Sequence, residues 1–377
     1  MKKKVIRTAT IPLSLKTFLN GSIELMMDKY DLVLISSPEE ELSELHEKYG
    51  VKTIGVSMER RMSIAKDVKS LFSLIKVFYK EKPFMVHSMT PKAGLLCMIA
   101  AWVARVPRRV HTFTGLVWPT ANGLSRKILM ATDKITCACA THIIPEGEGV
   151  KNDLQNHITK KPMRVLGYGN VRGVDMDYWK VTPEILAQSS CIKDNNKFTF
   201  VFVGRLVGDK GINELIDAFA RLSSEKENVR LFLVGPTEDE LDPLKPITWD
   251  RIKSIPSIVK IGPVWGDDIL KYYAASDCFV FPSYREGFPN TVLEAGAMGL
   301  PSIVTDINGS REIINNGENG IIIPPKNVDE LYEAMLKMLE DDDMRKNMAT
   351  NARPMIESRF EQSFVRKCLF DFYDEIM

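Results

Sequence analysis

The chain has few cysteines, and none stands in a pattern typical of a metal site or a disulfide framework. Six cysteines occur in 377 residues without a Cys-x-x-Cys pair, and Cys137 and Cys139 lie in an apolar stretch that is most simply core. No apolar run reaches the roughly 18 residues of a transmembrane helix, and no signal-peptide pattern follows Met1. We therefore expect a reduced, cytoplasmic protein.

Net charge is also nearly absent, but the two halves of the chain differ in sign. Lys and Arg number 50, and Asp and Glu number 49. Residues 1–168 carry 26 basic and 15 acidic side chains, whereas the remainder carries 24 and 34. The basic half suits an anionic membrane surface or a pyrophosphate-bearing acceptor. We expect no nucleic acid partner, because no zinc spacing or aromatic RNA-binding motif accompanies the basic charge.

Strand-like and helix-like segments alternate along the chain, which is typical of doubly wound parallel sheets. In the first half, strands are predicted at 31–35, 51–56, 84–87, 109–113 and 163–166, and helices at about 39–49, 64–79 and 93–106. The predicted domains are 1–168 and 169–356, followed by an amphipathic, aromatic-rich terminal helix in 357–377. The fold class is therefore α/β.

Two glutamates lie eight positions apart around a predicted helix start. Residues 277–283 are typical of a buried strand, so Glu286 falls in the loop after it and Glu294 on the first turns of the next helix. Open α/β sheets bind ligands at that edge. The helix start favours phosphate, and carboxylates accept hydrogen bonds from sugar hydroxyls. Taken alone, the pair is equally well explained as a surface loop with two solvated glutamates.

A second strand-to-helix corner carries two cations. Residues 197–203 are typical of a buried strand, and a helical pattern begins at Ile212. Gly204 lets the backbone approach a ligand closely, and Arg205 and Lys210 bring the two charges that a diphosphate needs where no metal neutralises it. Alone, these two side chains are more simply solvated loop charges.

Together the two corners resemble the nucleotide-sugar half of the GT-B glycosyltransferases, specifically the retaining enzymes of family 4. The matching segments follow the family's order and are Val203-Gly204-Arg205, Lys210-Gly211, Leu233-Val234-Gly235, Ile261-Gly262, Glu286 to Glu294 and Asn319-Gly320. The resemblance implies two Rossmann-like domains facing across a cleft, with the terminal helix crossing back onto the first domain.

The resemblance also implies a donor site. Arg205 and Lys210 would hold the diphosphate of a UDP-sugar, Glu294 would bind the ribose hydroxyls, and Glu286 would face the transferred sugar. The other donor-binding residues that it implies are Gly204, Gly287, Phe288, Pro289, Asn290 and Thr291. No Asp-x-Asp motif adjoins a sugar site, so we expect neither a metal ion nor another cofactor.

Polar residues near two first-half strands extend the resemblance to a subgroup of family 4. The segments are Ser14 to Gly21, Thr90 to Gly94, His111 to Gly115 with Trp118, and Gly173-Val174-Asp175. Members of this subgroup build bacterial surface polysaccharides or lipid-linked oligosaccharides, and they transfer N-acetylated or related sugars to undecaprenyl-diphosphate-linked saccharides. The resemblance implies the same class of acceptor here.

The acceptor side departs from the family at one point. Many family 4 enzymes have Thr-x-His-Gly where this chain has Thr114, and His111 stands three positions earlier. The implied catalytic role on this side therefore falls on His111 or on Thr114, and both stay open. Glu286 would orient the sugar or stabilise its cationic transition state.

The sequence thus predicts a retaining glycosyltransferase of capsule, O-antigen or related glycan synthesis. Lysines beside the apolar face of the 64–80 helix fit a peripheral position on the inner face of the cytoplasmic membrane, although an ordinary solvated helix fits as well. The alternatives are a GT-B-fold UDP-N-acetylglucosamine epimerase, a non-catalytic subunit of a polysaccharide assembly complex, and a nucleic-acid-binding protein.

Overall fold

The first half of the chain builds a parallel sheet with strand order β3-β2-β1-β4-β5-β6. Its strands are β1 (Lys4–Thr8), β2 (Asp31–Ser36), β3 (Lys52–Gly55), β4 (Met85–Met89), β5 (Arg108–Phe113) and β6 (His142–Pro145). The helices between and after them are α1 (Pro12–Phe18), α2 (Ile23–Lys29), α3 (Glu40–Tyr49), α4 (Ile64–Glu81), α5 (Pro91–Val103), α6 (Gly123–Cys139) and α7 (Glu148–His157).

The second half repeats that arrangement in a parallel sheet ordered β12-β11-β10-β7-β8-β9. Its strands are β7 (Phe198–Val203), β8 (Val229–Val234), β9 (Ile258–Gly262), β10 (Cys278–Phe281), β11 (Ser302–Thr305) and β12 (Gly320–Ile323). The helices are α8 (Pro183–Ser190), α9 (Ile212–Glu225), α10 (Pro246–Ser254), α11 (Leu270–Ala274), α12 (Asn290–Ala297), α13 (Ser310–Ile313), α14 (Val328–Glu340), α15 (Asp342–Phe360) and α16 (Gln362–Ile376).

This computed structural model describes residues 2–59, 63–238, 240 and 242–377. The chain divides into a first unit of residues 1–173 with 363–377, and a second unit of residues 174–362. The division lies a few residues beyond the boundary placed at 168/169 from sequence. Each unit has its own doubly wound parallel sheet, so the predicted fold class is confirmed.

Apolar strands explain why these sheets are covered on both faces. The segment Phe198–Val203 contains four buried residues in succession, as expected for a central parallel strand. In the first unit, one core lies against each face of the sheet: Ile6 and Val86 belong to one, and Val5 and Met85 to the other. Alternate residues of each strand therefore pack into cores on opposite faces of the sheet.

Several predicted elements differ from those in the structure. Residues 163–166 form no strand. Arg164 makes a single backbone hydrogen bond to Ile143 (3.2 Å), which is too little for a ladder. The edge strand is instead β6, which the sequence did not predict, and β1 was also missed because Lys4 and Arg7 interrupt its apolar pattern.

The terminal helix α16 belongs to the first unit. Phe372, Tyr373 and Ile376 are buried in the core that contains Val5. The Tyr373 hydroxyl accepts a hydrogen bond from Arg7 Nη1 (2.9 Å) and also contacts a ring nitrogen of His87. A buried cation on the first strand is therefore partnered by a residue near the end of the chain.

Across residues 2–59, 63–238, 240 and 242–377, none of the helices combines the length and the apolar character that crossing a bilayer requires.

Candidate active site

Two loops meet where the order of the second sheet changes direction. Strands β7 and β10 are hydrogen-bonded neighbours at the centre of the sheet. Strands β8 and β9 follow on the side of β7, and strands β11 and β12 follow on the side of β10. Such a switch point is where open α/β sheets bind ligands. The loops join directly, because the Tyr284 N–H donates a hydrogen bond to the Asp209 carbonyl oxygen at 2.9 Å. Both predicted corners therefore lie at one edge of the sheet.

Lys210 and Glu286 form an ion pair across these loops. Each side chain is only 15% exposed. Ser283 Oγ donates a second hydrogen bond to Glu286 Oε1 at 2.7 Å, and Lys210 Nζ lies 5.4 Å from the centroid of the Phe281 ring. A charge-assisted pair with these supports has a fixed position. The cation predicted for the diphosphate and the carboxylate predicted for the sugar are thus in direct contact.

Arg205 lies at the same edge but makes a different ion pair. Its guanidinium contacts Glu238, which follows the neighbouring strand β8. The Leu206 N–H donates to the Pro236 carbonyl oxygen at 2.8 Å, so these two loops are also joined. The Arg205 side chain is 44% exposed, which leaves it accessible to an anion in solution. The structure therefore does not place Arg205 in the Lys210–Glu286 pair.

Close contact between the loops depends on Gly211, which precedes α9. Its φ is +71°, and a Cβ at this position would lie 2.1 Å from the Pro282 carbonyl oxygen. Only glycine avoids both the conformational cost and the clash. Without this approach, Lys210 and the residues after β10 would move apart.

The segment between Glu286 and α12 divides its residues between core and edge. Gly287, Phe288 and Pro289 are buried, and the Phe288 ring packs against Phe360 with centroids 5.4 Å apart. Asn290 and Thr291 are half-buried in the first turn of α12. The Phe288 side chain is therefore a core group, and a contribution of this segment to donor binding would come from backbone N–H groups and from Asn290 and Thr291.

Glu294 lies in α12 beside two tyrosines of the second unit and is largely buried. Burial, a hydrogen bond with Asp267 and the Glu294 charge raise the pKa of Tyr178 to about 12. Burial and the same glutamate charge raise the pKa of Tyr273 well above its ordinary value. Glu294 therefore lies near the hydroxyl groups of Tyr178 and Tyr273.

The two acceptor-side candidates occupy different environments in the first unit. His111 is 1% exposed on β5, its Nδ1 lies 2.8 Å from Ser88 Oγ, and its ring fills the space that a Cβ on Gly94 would need. Burial lowers the pKa of His111 to about 3, so the ring is neutral near pH 7. Thr114 is half-buried at the end of the strand. A catalytic role for either residue stays a prediction.

Three supporting residues were not predicted from the sequence. Ser283, which orients Glu286, appeared only as the last residue of a predicted strand. Tyr178 lies near Glu294 and hydrogen-bonds Asp267, and both residues come from distant segments. A serine before a loop glutamate is a usable signal for the first. Nothing local marks the other two, because folding alone brings them to α12.

No group of three or more His, Cys, Asp or Glu side chains within the described part of the chain is arranged to hold a metal ion. The expectation of metal-independent transfer stays a prediction.

Comparisons with known families divide the chain much as the structure does. Residues 187–355 match the family described as glycosyl transferases group 1. Residues 21–169 match the one described as glycosyltransferase family 4. The two matches fall in the second and the first unit, respectively.

Two relatives each align with most of the chain. The capsular polysaccharide biosynthesis glycosyltransferase CapM of Staphylococcus aureus is 31% identical over 378 residues, which span 100% of this chain and 98% of CapM. The UDP-Gal:alpha-D-GlcNAc-diphosphoundecaprenol alpha-1,3-galactosyltransferase of Escherichia coli is 32% identical over 309 residues, which span 80% of this chain and 78% of the relative.

A solved structure agrees with the fold. HepE of Anabaena, crystallised in complex with UDP, matches with a TM-score of 0.81 over 100% of both chains at 19% identity. A likeness at that identity shows the GT-B fold and carries no residue roles.

Proposed function

The chain belongs to glycosyltransferase family 4, and from that membership we propose that it transfers a sugar from a UDP-sugar to an undecaprenyl-diphosphate-linked saccharide, with retention of anomeric configuration. The Lys210–Glu286 pair at the switch point of the second sheet is the observation that carries this proposal. It joins a group that binds phosphate to a group that binds sugar hydroxyls, on loops fixed by Gly211. This combination suits a donor that contains both chemistries.

The departing diphosphate needs positive charge when the bond to the sugar breaks. Lys210 and the exposed Arg205 supply two cations at the same sheet edge, and the first turn of α12 adds backbone N–H groups. Glu286 is oriented by Ser283 and Lys210, so its carboxylate can stabilise positive charge on the sugar ring. An incoming diphosphate competes with Glu286 for Lys210.

UDP is supported as the nucleotide by two of the proteins compared. The E. coli relative uses UDP-Gal, and HepE was crystallised with UDP. Glu294, beside Tyr178 and Tyr273, offers a carboxylate for the ribose hydroxyls in the second unit.

A lipid-linked acceptor is supported by the name of the E. coli relative, whose acceptor is a diphosphoundecaprenol saccharide, and by the charge of the first half. We propose that such an acceptor is met at the cytoplasmic face of the membrane. The expected product belongs to a capsule, an O-antigen or a related surface glycan.

Exposed apolar and basic side chains on the surface of the first unit support peripheral membrane association. On α4, the large apolar side chains of Val68, Phe72 and Tyr79 are exposed, and Phe72 is 67% exposed. Lysines accompany this stripe at positions 69, 76 and 80. Helices α4 and α6 both pack against α5. Helix α6 exposes Leu124, Ile128 and Ile135, with Lys127 and Lys134 beside them in the sequence. Apolar residues with interleaved lysines are typical of helices that lie on anionic bilayers.

The test is a panel of UDP-sugars incubated with synthetic lipid-diphosphate saccharides, with mass spectrometry of the product. We expect one donor to add a single hexose or N-acetylhexosamine, and Glu286→Ala to prevent the addition. Incubation with UDP-N-acetylglucosamine alone separates the epimerase alternative, which would produce an epimer without acceptor. Absence of transfer with every donor, by a protein that still binds UDP, would contradict the proposal.

A further inference from the structure

An exposed tryptophan follows the carboxyl end of β9 in the second unit. Trp265 comes shortly after Gly262, the last residue of that strand, and its side chain is 76% exposed. The preceding residue, Val264, packs against the core of the unit, so the loop is anchored there while the indole faces solvent. Within the described residues, the indole has no ring contact, cation–π contact or hydrogen bond. One large aromatic surface is therefore left uncovered.

A single exposed apolar side chain is common on protein surfaces and by itself indicates nothing. Trp102, for example, is also exposed, on helix α5 of the first unit. Trp265 differs because it lies at the carboxyl edge of a parallel sheet, where open α/β sheets bind ligands. The loop with Arg205 and the Lys210–Glu286 pair lie at the same edge.

Hydrogen bonds hold the ends of β7, β8 and β9 level with each other. The Gly204 N–H donates to the Val234 carbonyl oxygen at 2.9 Å, and the Gly235 N–H donates to the Gly262 carbonyl oxygen at 2.8 Å. Adjacent strands lie about 4.8 Å apart, so two spacings, roughly 10 Å, separate the ends of β7 and β9. A nucleoside diphosphate covers a similar distance between its base and its phosphates.

The order of the strands matches the order of the groups in a nucleotide sugar. Neighbouring strands run β10-β7-β8-β9, with Glu286 after β10, Arg205 after β7 and Trp265 after β9. The carboxylate assigned to the sugar and the cations assigned to the diphosphate thus lie towards one side, and the aromatic ring lies towards the other. A donor bound along this edge places its base at the side of β9.

A second contact connects the loop of Trp265 to the carboxylate assigned to the ribose. Asp267, two residues beyond Trp265, hydrogen-bonds Tyr178, and Tyr178 lies within the electrostatic influence of Glu294. Tyr178 therefore bridges the two segments within the second unit. Because base and ribose are joined directly, a nucleoside site requires an aromatic surface near the group that binds the ribose hydroxyls.

We propose that Trp265 stacks on the base of the nucleotide, with the indole against one face of the uracil ring. Every base has such a face, so the contact adds affinity without distinguishing one base from another. The proposal rests on the proposed function and deepens it by naming the residue that holds the base of the donor. Trp265 takes no part in breaking the bond to the sugar.

The experiment is isothermal titration of the wild type, Trp265→Ala and Trp265→Phe with UDP and with pyrophosphate, which has no base. Trp265→Ala should weaken UDP binding about 10- to 100-fold, the usual effect of losing one stacked aromatic side chain. Trp265→Phe keeps a ring and should keep most of that affinity. Binding of pyrophosphate should be the same in all three proteins. Since Trp265 is exposed, both variants should fold, which circular dichroism checks.

The matched control is Trp102→Ala, which makes the same change at an exposed tryptophan of the first unit. It should leave UDP binding unchanged. Wild-type affinity for UDP in Trp265→Ala, or an equal loss for UDP and pyrophosphate, would overturn the proposal.

Fluorescence distinguishes direct stacking from an indirect effect of the substitution. A base stacked on the indole should quench tryptophan emission, so UDP should quench the wild type and pyrophosphate should not. Trp265→Phe should bind UDP but lose this quenching. Full quenching in Trp265→Phe would mean that another tryptophan reports the binding, and the proposed contact would be wrong.

A sugar ring is the rival occupant, because sugars also pack against tryptophan. Titration with UDP-N-acetylglucosamine and UDP-galactose decides between the two occupants. If the base lies on Trp265, the loss in Trp265→Ala is already complete with UDP and is the same for the UDP-sugars. A loss confined to the UDP-sugars would place the transferred sugar on Trp265 and overturn the proposal.

These titrations need no acceptor and no turnover, so they separate this proposal from the proposed function. If no acceptor is glycosylated by any donor but Trp265→Ala weakens UDP binding, the proposed transfer fails and the base contact stands. If transfer occurs and Trp265→Ala binds UDP normally, the base contact fails alone. A wild-type protein that binds no UDP would refute both.

Discussion

Lys210 and Glu286 stand 76 residues apart in the sequence and form an ion pair at the carboxyl edge of the second sheet. Ser283 and the ring of Phe281 support the two members of the pair. If the proposed function is correct, donor binding exchanges the partners of Lys210 within an organised site. Such preorganisation is the main source of electrostatic catalysis.

Removal of either member of the pair should abolish most transfer. Lys210→Ala and Glu286→Gln are each expected to lower kcat by about 10²–10³, the usual effect of losing one group that stabilises the transition state. Initial rates with the best donor and acceptor give the comparison, and circular dichroism checks the fold. Lys226→Ala removes an exposed ion pair of the same unit and should keep full activity. Wild-type rates in either active-site variant would refute the assignment.

Glu294 should control donor affinity more than turnover. Because its predicted role is a pair of hydrogen bonds to the ribose, Glu294→Ala should weaken UDP binding by about 10- to 100-fold, the worth of a hydrogen bond to a charged group. Isothermal titration with UDP measures this directly. Ribose-free pyrophosphate is the matched ligand, and its affinity should not change. An equal loss for both ligands would place Glu294 elsewhere in the site.

Gly211 should be intolerant of any side chain. Gly211→Ala adds a clash with the Pro282 carbonyl oxygen to the cost of a positive φ, whereas Gly50→Ala has φ +66° with nothing within 4 Å of the new Cβ. We expect about 1–2 kcal/mol of destabilisation for Gly50→Ala and clearly more for Gly211→Ala. Urea unfolding of both variants separates clash from strain. Equal destabilisation of the two variants would show that the loops around Gly211 rearrange to accommodate the new Cβ at no cost in free energy.

Asp133 should make stability depend on pH. Burial raises its folded-state pKa to about 7, so its protonated form stabilises the fold at low pH, and that contribution is lost as the pH rises through 7. The side chain of Asp133→Asn cannot ionise. From pH 5 to pH 8 its melting temperature should therefore rise relative to that of the wild type, by roughly 2–4 °C for each kcal/mol of stability that the wild type loses. Asp28→Asn, an exposed change in the same unit, should show no such trend. A difference in melting temperature that stays constant from pH 5 to pH 8 would contradict the raised pKa of the Asp133 carboxyl.

Lysines of α4 should govern attachment to anionic membranes. The double variant Lys76→Glu with Lys80→Glu should reduce flotation with phosphatidylglycerol vesicles at least tenfold, since each lysine near such a surface is worth about 1 kcal/mol. Lys245→Glu with Lys253→Glu makes the same charge change in the second unit and should have little effect. Flotation that is insensitive to salt and to both variants would argue against this face.

Local patterns predicted much of the second unit. Strands β7 and β10 are apolar runs that end at polar loops, so the corners with Lys210 and Glu286 were found from sequence alone. Their direct contact was not predicted, because it depends on which strands are neighbours. The partner of Arg205 was missed for the same reason, since Glu238 follows a different strand.

In the first unit, long-range contacts produce features that local sequence patterns do not predict. Arg7 is a cation inside β1, and a charge there hides the apolar signal of a strand. Its partner, Tyr373, is 366 residues away. His111 resembles an active-site residue by its neighbours in sequence, yet the ring is enclosed beneath α5 by Gly94. Burial of a polar side chain by a distant helix has no signature within its own segment.

The contact of α16 with β1 has a practical consequence for dissecting this protein. Because residues 363–377 complete the first unit, a fragment that stops at residue 173 would expose the apolar surface now covered by Phe372 and Ile376. Such a fragment is expected to aggregate when expressed alone. A fusion that joins the α16 segment to residue 173 through a flexible linker is the rational choice for producing that half by itself.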